Sequence, residues 1–137
     1  MKDPKRFFLH IAWLAAQQST CSRLKVGAVL ATEDNFIISL GYNGAPRGLS
    51  HCNLQRKVET PCRCVHAEQN ALAHSTVSWR VKKVLYTTTF PCYSCAKILI
   101  AANVTKVFYK DMYRDMYEAK LLLIEARVKL ERVYLAL

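Results

Sequence analysis

Three potential metal ligands and one carboxylate lie in two short segments of the chain. His66 and Glu68 flank a single alanine, and Cys92 and Cys95 follow within the sequence Pro-Cys-Tyr-Ser-Cys. One imidazole and two thiolates can hold a zinc ion while its fourth coordination position stays open to water. Zinc lowers the pKa of a bound water to about 7, which generates hydroxide near neutral pH. The residue types therefore indicate a hydrolytic zinc centre.

Glu68 is available for proton transfer because it stands two positions after His66. Residues at that spacing in a helix do not face each other, so Glu68 need not bind the metal. In a dry, apolar pocket that raises its pKa, it can take the proton of the water and return it to the reacting group. The alternative role is a helix N-terminal acid that complements the helix dipole. The Cys92-x-x-Cys95 pair alone could also be a thioredoxin-like redox motif, which the upstream His66 and Glu68 disfavour.

Both halves of the motif fall at predicted helix N-termini. We predict helices over 65–76 and 91–103, and Pro91 suits the first position of the second helix. The partial positive charge at a helix N-terminus favours thiolate over thiol. Cys92 and Cys95 lie one turn apart, so both thiolates can face one ion.

The remaining chain alternates predicted strands and helices around a long loop over 43–64. A loop of that length in a compact domain is usually functional. The order predicts an α/β fold with three α-β-α layers and a mixed five-stranded sheet, whose fourth and fifth strands are parallel because a helix connects them. The other predicted elements are helices over 4–20 and 114–126, a hairpin of strands over 25–32 and 36–42, and strands over 83–89, 106–109 and 128–135.

The composition fits one catalytic domain over 1–137. The chain is 52% hydrophobic, which is ample for one core. The apolar stretch over 7–16 is too short to span a bilayer and no signal peptide is evident, so we expect a cytoplasmic protein with reduced thiols. The net charge of +10 indicates an anionic partner, either a nucleotide or a nucleic acid, or else a solvated basic surface.

The two motif halves match the His-x-Glu and Pro-Cys-x-x-Cys signature of zinc-dependent nucleobase deaminases. Segments over 25–30, 41–52, 66–71 and 89–97 look more specifically like deoxycytidylate (dCMP) deaminase, and the resemblance runs from residue 7 to about 135. The Gly-Tyr-Asn-Gly run that starts at residue 41 best distinguishes this resemblance from a resemblance to other deaminases with the same zinc motif. The zinc motif itself is shared by cytidine, guanine, riboflavin-pathway and tRNA adenosine deaminases.

The resemblance implies a cytidine-deaminase-like fold and hydrolytic deamination of dCMP to dUMP, which feeds thymidylate synthesis. By that similarity, Glu68 is the proton shuttle, and the catalytic zinc is held by His66, Cys92 and Cys95. Family members are often homo-hexamers regulated by dCTP and dTTP, and both properties are expectations for this chain. We expect a small-molecule nucleotide substrate and no membrane partner.

The same resemblance implies four substrate contacts. Asn43 would contact the nucleoside, and the backbone near Thr89 and Phe90 would meet the exocyclic amine. Arg47 would bind the phosphate, since a guanidinium fork fits phosphate oxygens. The alternative for Arg47 is an ordinary surface arginine.

Many relatives carry a second, structural zinc, and this chain has cysteines for one. Four thiolates would close a tetrahedral site and fix the long loop. The chain departs from the pattern of these relatives. Their loop is longer and supplies a histidine, whereas the loop here is shorter and contains Cys62-x-Cys64. The alternative is free thiols. The four residues are Cys21, Cys52, Cys62 and Cys64.

Two other functions compete with a nucleotide deaminase. A deaminase that acts on nucleic acid, such as a tRNA adenosine deaminase or one that acts on single strands, would suit the net charge and the parallel strands. The segment over 128–137 disfavours it, because it looks like a core strand rather than a basic tail. A non-enzymatic zinc-binding module would have no use for Glu68 or for an open coordination position.

Overall fold

The computed structural model describes residues 1–51, 62–112 and 116–136, and these ranges contain four helices and five strands. Within them, no helix combines the length and the apolar character that a membrane span requires. In chain order the elements are α1 (Pro4–Ala16), β1 (Gly27–Thr32), β2 (Ile37–Tyr42), α2 (Ala67–Ala73), β3 (Lys83–Thr89), α3 (Tyr93–Ala101), β4 (Val104–Asp111), α4 (Tyr117–Glu125) and β5 (Lys129–Arg132).

The described strands form one mixed sheet in the order β2-β1-β3-β4-β5. β1 is antiparallel to β2 and to β3, and the β1–β2 pair is the predicted hairpin. β3, β4 and β5 are parallel and are connected through α3 and α4. The prediction of a mixed five-stranded sheet with parallel fourth and fifth strands is confirmed.

Apolar clusters cover both faces of the sheet, because successive side chains of a strand point in opposite directions. On one face, Phe8 and Leu9 of α1 pack with Val29 of β1. On the other face, buried residues of α2, α3 and α4 pack with Leu30 of β1 and Leu85 of β3. The three-layer α-β-α architecture is therefore also confirmed.

α2 lies very close to β2 because Gly41 has no side chain. A Cβ atom at Gly41 would stand 2.4 Å from the Ala67 carbonyl oxygen and 2.6 Å from the Ala71 nitrogen. On the same strand, the Ser39 hydroxyl donates a hydrogen bond to the Ala71 carbonyl at 2.6 Å. These contacts fix the start of α2, and with it the position of His66.

The helix boundaries differ from the predictions at the residues that matter most for the site. The helices predicted over 65–76 and 91–103 begin at Ala67 and Tyr93, because His66 and Cys92 have extended backbones and cap them. Pro91 therefore precedes the cap instead of opening the helix. The predicted helix over 4–20 ends at Ala16.

The first helix ends early because the chain that follows it turns toward Asn43. The Thr20 N–H and the Ser19 hydroxyl both donate to the Asn43 carbonyl, at 3.3 and 2.9 Å. Among the strands, β1 starts two residues later than predicted, β4 is longer, and β5 is shorter. Residues 52–61 of the predicted loop and 114–115 of the predicted fourth helix lie outside the described residues.

Candidate metal centre and active site

His66 and Cys92 occupy equivalent places, each at the N-cap of a helix that lies against the sheet. An N-cap residue has an extended backbone and stands at the end of the helix where the first N–H groups lack intrahelical partners. At His66, the backbone N–H donates to the Gln69 side-chain oxygen at 2.9 Å, which fixes the backbone there. Cys95 lies in the first turn of α3 and is buried.

The three predicted ligands converge on one point. His66 Nδ1 lies 3.2 Å from Cys95 Sγ and 3.4 Å from Cys92 Sγ, and all three donor atoms fall within 4.8 Å of one another. Tetrahedral zinc with its usual bond lengths places a nitrogen and a sulfur ligand about 3.5 Å apart. The donor set and its spacing therefore fit zinc.

The environment favours a thiolate at Cys92. Its pKa is lowered to about 3, first by the hydrogen bond from Cys95 and further by those from His66 and Ser94. The Cys95 thiol is affected in the opposite sense, because its hydrogen bond to Cys92 and its burial raise its pKa. Without a metal, the pair is therefore expected to share one proton, which metal binding would displace.

Glu68 lies beside the ligands in an apolar environment. Its side chain is buried with 4% exposure, and that burial raises the pKa of the carboxyl. A hydrogen bond with Cys95 opposes the shift. A carboxyl whose pKa is moved upward can both accept and donate a proton near neutral pH, which suits a general acid–base group.

One cavity of about 320 Å³ unites the site. Its wall includes the predicted metal ligands His66 and Cys92 and the carboxylate of Glu68. Three of the four predicted substrate-contacting residues also line it: Asn43, Thr89 and Phe90. The fourth, Arg47, is exposed on the loop after β2 and is not among the described residues of the cavity wall.

Asn43 is held by backbone groups and by a neighbouring hydroxyl. Its side-chain Oδ1 accepts from the Val26 N–H at 2.8 Å and from the Ser19 hydroxyl at 2.6 Å, and its Nδ2 donates to the Leu24 carbonyl at 2.6 Å. A primary amide has two N–H donors, and residues in the described part of the chain engage only one of them. The second N–H is therefore available on the cavity wall.

The end of β3 supplies an apolar wall next to the metal ligands. Phe90 is 2% exposed, and its ring packs edge-on against Tyr109 with centroids 4.9 Å apart. Its backbone N–H donates to the Asp111 carbonyl at 2.8 Å. The Thr89 carbonyl accepts one hydrogen bond, from the Thr87 hydroxyl at 2.8 Å, and retains a second lone pair.

A second group of thiols shares the cavity wall. Cys21, Cys62 and Cys64 all line the cavity, and the Cys64 thiol is hydrogen-bonded to both of the others. Burial, followed by these two contacts, raises the pKa of Cys64. Cys52, the fourth predicted ligand of a structural zinc, lies outside the described residues.

Sequence reasoning missed Arg23 and Met116, which also line the cavity. Met116 is the N-cap of α4, and nothing in the sequence relates it to the zinc motif. One feature of the sequence could have pointed to Arg23 as a residue near the site: it lies two positions after Cys21, a predicted zinc ligand. Its place on the wall depends on how the chain before β1 is held, which the sequence does not reveal.

The fold and the donor set define a zinc-dependent deaminase. The family model for the cytidine and deoxycytidylate deaminase zinc-binding region matches residues 2–111. The chain therefore belongs to the cytidine and deoxycytidylate deaminase family.

Individual relatives agree with that assignment. The chain is similar to the deoxycytidylate deaminase of Mycobacterium phage D29, with 37% identity over 78% of this chain and 94% of the relative. It is also similar to the Homo sapiens deoxycytidylate deaminase, with 36% identity over 82% of this chain and 68% of that protein.

A solved structure extends the similarity to three dimensions. The cyanophage S-TIM5 dCMP deaminase in complex with dCMP and dUMP superposes with a TM-score of 0.85 and 32% identity, covering 97% of this chain and 98% of that one. These relatives do not favour the nucleic-acid deaminase that the net charge left open.

Proposed function

We propose that this protein converts dCMP and water into dUMP and ammonia, and so supplies dUMP for thymidylate synthesis. The observation that carries the proposal is the convergence of His66, Cys92 and Cys95 beside a cavity whose wall includes the buried carboxylate of Glu68. Relatives with 32–37% identity are named as deoxycytidylate or dCMP deaminases, which supports this substrate.

His66, Cys92 and Cys95 would hold the catalytic zinc. When bound, zinc supplies the Lewis acidity that makes a water nucleophilic near neutral pH. Glu68 would take one proton from the attacking water and deliver it to N3 of cytosine as oxygen bonds to C4. The same carboxyl would then carry the remaining proton of the former water to the exocyclic nitrogen. The C4–N4 bond breaks, and ammonia and dUMP are released.

The wall of the cavity would orient the nucleotide. We assign the free Nδ2–H of Asn43 to a hydroxyl of the sugar, since the rest of that amide is already engaged. The Phe90 ring would exclude water from one side of the base. The Thr89 carbonyl, with a free lone pair, would accept a hydrogen bond from the exocyclic amine.

We further propose a second, structural zinc held by Cys21, Cys62 and Cys64, with Cys52 as fourth ligand. The support is the convergence of the three described thiols. Four thiolates would leave no open position for water. Elemental analysis of protein prepared without chelator should give two zinc ions per chain, and a value near one would contradict the second site.

The expected assembly and regulation remain proposals that rest on the family. We propose one catalytic domain over 1–137, a homo-hexamer, and control by dCTP and dTTP. The metal-binding thiols need a reducing compartment, which supports an intracellular location. Light scattering and initial rates measured with each effector test the assembly and the regulation separately.

The activity test is product analysis by chromatography. Zinc-replete protein is incubated in parallel with dCMP, deoxycytidine, dCTP and a single-stranded DNA oligonucleotide, each with and without dCTP as an added effector. The Glu68→Ala variant, checked for retained zinc, is the blank. We expect dUMP from wild-type protein alone. Conversion of the oligonucleotide without conversion of dCMP would overturn the proposal in favour of a nucleic-acid deaminase.

A further inference from the structure

A second cavity, of about 440 Å³, lies on the α1 side of the sheet, whereas the catalytic cavity lies on the side of α2 and α3. Its described wall combines the end of α1 with residues near the C-terminal ends of the parallel strands β3, β4 and β5. Only Leu24 and Thr89 line both cavities in the described part of the chain. The second cavity is therefore a neighbour of the catalytic cavity and not an extension of the zinc site.

Cations outnumber carboxylates on the described wall of the second cavity, with Lys25, Lys110 and Arg132 against Asp111. The Asp111 carboxylate is shared, because Lys110 Nζ lies 2.9 Å from one of its oxygens and the Arg132 guanidinium lies 3.7 Å from the other. Lys25 is exposed and takes part in none of the ion pairs among the described residues. The wall thus carries an excess of positive charge that a bound anion would neutralise.

The polar groups of this wall are mainly hydrogen-bond donors. Arg132 Nε donates to the Lys110 carbonyl at 2.9 Å, and the Tyr134 ring lies 5.1 Å from the guanidinium carbon, so the planar fork is held in place. The Thr88 hydroxyl accepts from the Gly27 N–H at 3.1 Å and keeps its own hydrogen to donate. Donors and cations grouped in this way fit the oxygens of a phosphate group.

The size and the apolar part of the cavity indicate a ligand larger than a free phosphate ion. A volume of about 440 Å³ is within the usual range for pockets that hold small organic molecules. The side chains of Trp13, Leu24 and Met112 also line the cavity and can pack against a carbon skeleton. These features favour a small phosphorylated molecule.

We propose that this cavity is a second ligand site, separate from the catalytic cavity, and that it binds the phosphate group of a small phosphomonoester. Lys25, Lys110 and Arg132 hold the phosphate, and Asp111 orients two of these cations. The site goes beyond the proposed function and does not depend on it, because none of its described residues is a predicted zinc ligand.

Calorimetric titration of zinc-replete protein with ribose 5-phosphate tests the site, with ribose as the phosphate-free control. The wild type should bind ribose 5-phosphate saturably and should not bind ribose. Lys25→Gln should weaken the affinity by roughly 10- to 100-fold, as expected for loss of a charge-assisted contact. Lys120→Gln, at an exposed lysine of α4, is the matched control and should bind as the wild type does.

Asp111→Asn provides a readout of opposite sign. It removes the only carboxylate on the described wall, so affinity for ribose 5-phosphate should rise. If Asp111 served only to hold the local structure, its substitution would not strengthen binding. Weaker binding in Asp111→Asn would therefore contradict the proposed site.

Two further arms identify the cavity and the ligand. Arg23 is the only lysine or arginine on the described wall of the catalytic cavity, so Arg23→Gln should leave the affinity for ribose 5-phosphate unchanged. Loss of binding in Arg23→Gln with retention in Lys25→Gln would place the ligand in the catalytic cavity and overturn the proposal. A wild type that binds no ribose 5-phosphate would also overturn it. Inorganic phosphate should bind more weakly, and equal affinity would refute a phosphomonoester site.

Discussion

Two groups of cysteine-containing residues lie at the same cavity, and their structural surroundings differ. In the first, His66 and Cys92 cap helices, and the buried carboxylate of Glu68 lies beside them. In the second, Cys21 and Cys64 lie in segments without helix or strand, and the described residues of the cavity wall include no carboxylate besides Glu68. Both groups offer cysteine thiols as potential metal ligands.

This comparison indicates that the residues around the thiols distinguish the candidate catalytic site from the candidate structural metal site. Two helix caps and one residue in a first helical turn place the three donors, and a zinc ion held by three protein ligands would keep a fourth position for water. A carboxyl with a raised pKa then gives that position a proton carrier. The second group has thiols only, so a metal there would stabilise the chain without chemistry to perform.

The largest effect is expected from removing the proposed proton carrier, Glu68. Glu68→Gln should lower kcat by roughly 10²- to 10⁴-fold, the usual value of general acid–base catalysis, while both metals are retained. Glu118→Gln is a matched control, because Glu118 also stands two residues after a helix N-cap but is exposed. Equal losses in the two variants would mean that Glu68 serves only the helix dipole.

Removing one thiol from the second group should affect stability more than chemistry. Cys64→Ser should release one zinc per chain and lower the melting temperature by roughly 10 °C, which corresponds to about 2–3 kcal/mol for a chain of this size. We expect kcat to change by less than about tenfold, because Glu68 and its neighbouring ligands remain in place. Unchanged zinc content and melting temperature would show that these cysteines are free thiols.

Lys83 offers a smaller and more local test, because it stabilises the far end of the helix that carries Cys95. Its buried ammonium donates to the carbonyls of Ser78, Val81 and Ala102, at 3.1, 2.9 and 2.7 Å. Lys83→Met would leave these acceptors unsatisfied and should lower the free energy of unfolding by about 1–3 kcal/mol. Urea denaturation measures the loss, and Lys82→Met, at an exposed neighbour, is the control.

The same residue predicts a dependence on pH. Burial lowers the pKa of Lys83, so between its folded pKa and the unfolded value of about 10.4 the unfolded chain binds more protons. Stability from this group therefore rises as pH increases through that interval. The difference in unfolding free energy between wild type and Lys83→Met should grow toward alkaline pH. A difference that is constant with pH would contradict the assignment.

The convergence of the candidate metal ligands could be predicted from sequence because the motifs that carry them are local. Two short motifs specify the residue types, the spacing and the flanking helices, and the structure brings His66, Cys92 and Cys95 together as expected. The mixed five-stranded sheet, its hairpin and its parallel fourth and fifth strands also followed from the sequence of strands and helices. The starts of the two helices that carry the motifs were predicted two residues too early. Their capping residues, His66 and Cys92, fit a helical sequence pattern but have extended backbones.

The lining of the cavity shows where such reasoning stops. Arg47 was chosen because it lies in a loop that resembles the family, whereas the only basic residue on the described cavity wall is Arg23. Its placement depends on hydrogen bonds between Asn43 and residues 17 to 24 positions away in the sequence. No local spacing encodes contacts of that kind.

Asn43 also has a chemical vulnerability that the fold suppresses. Asparagine followed by glycine is the dipeptide most prone to spontaneous deamidation. The glycine nitrogen can attack the asparagine side-chain amide and release ammonia, and the cyclic imide that forms then opens to aspartate or isoaspartate. Here the Gly44 N–H donates to the Val65 carbonyl at 3.2 Å, and both ends of the Asn43 amide are engaged. The cyclisation is therefore opposed for as long as the loop stays folded. Storage under conditions that loosen this loop would place a carboxylate against the Leu24 carbonyl, and the hydrogen bonds that hold Asn43 on the cavity wall would be lost irreversibly.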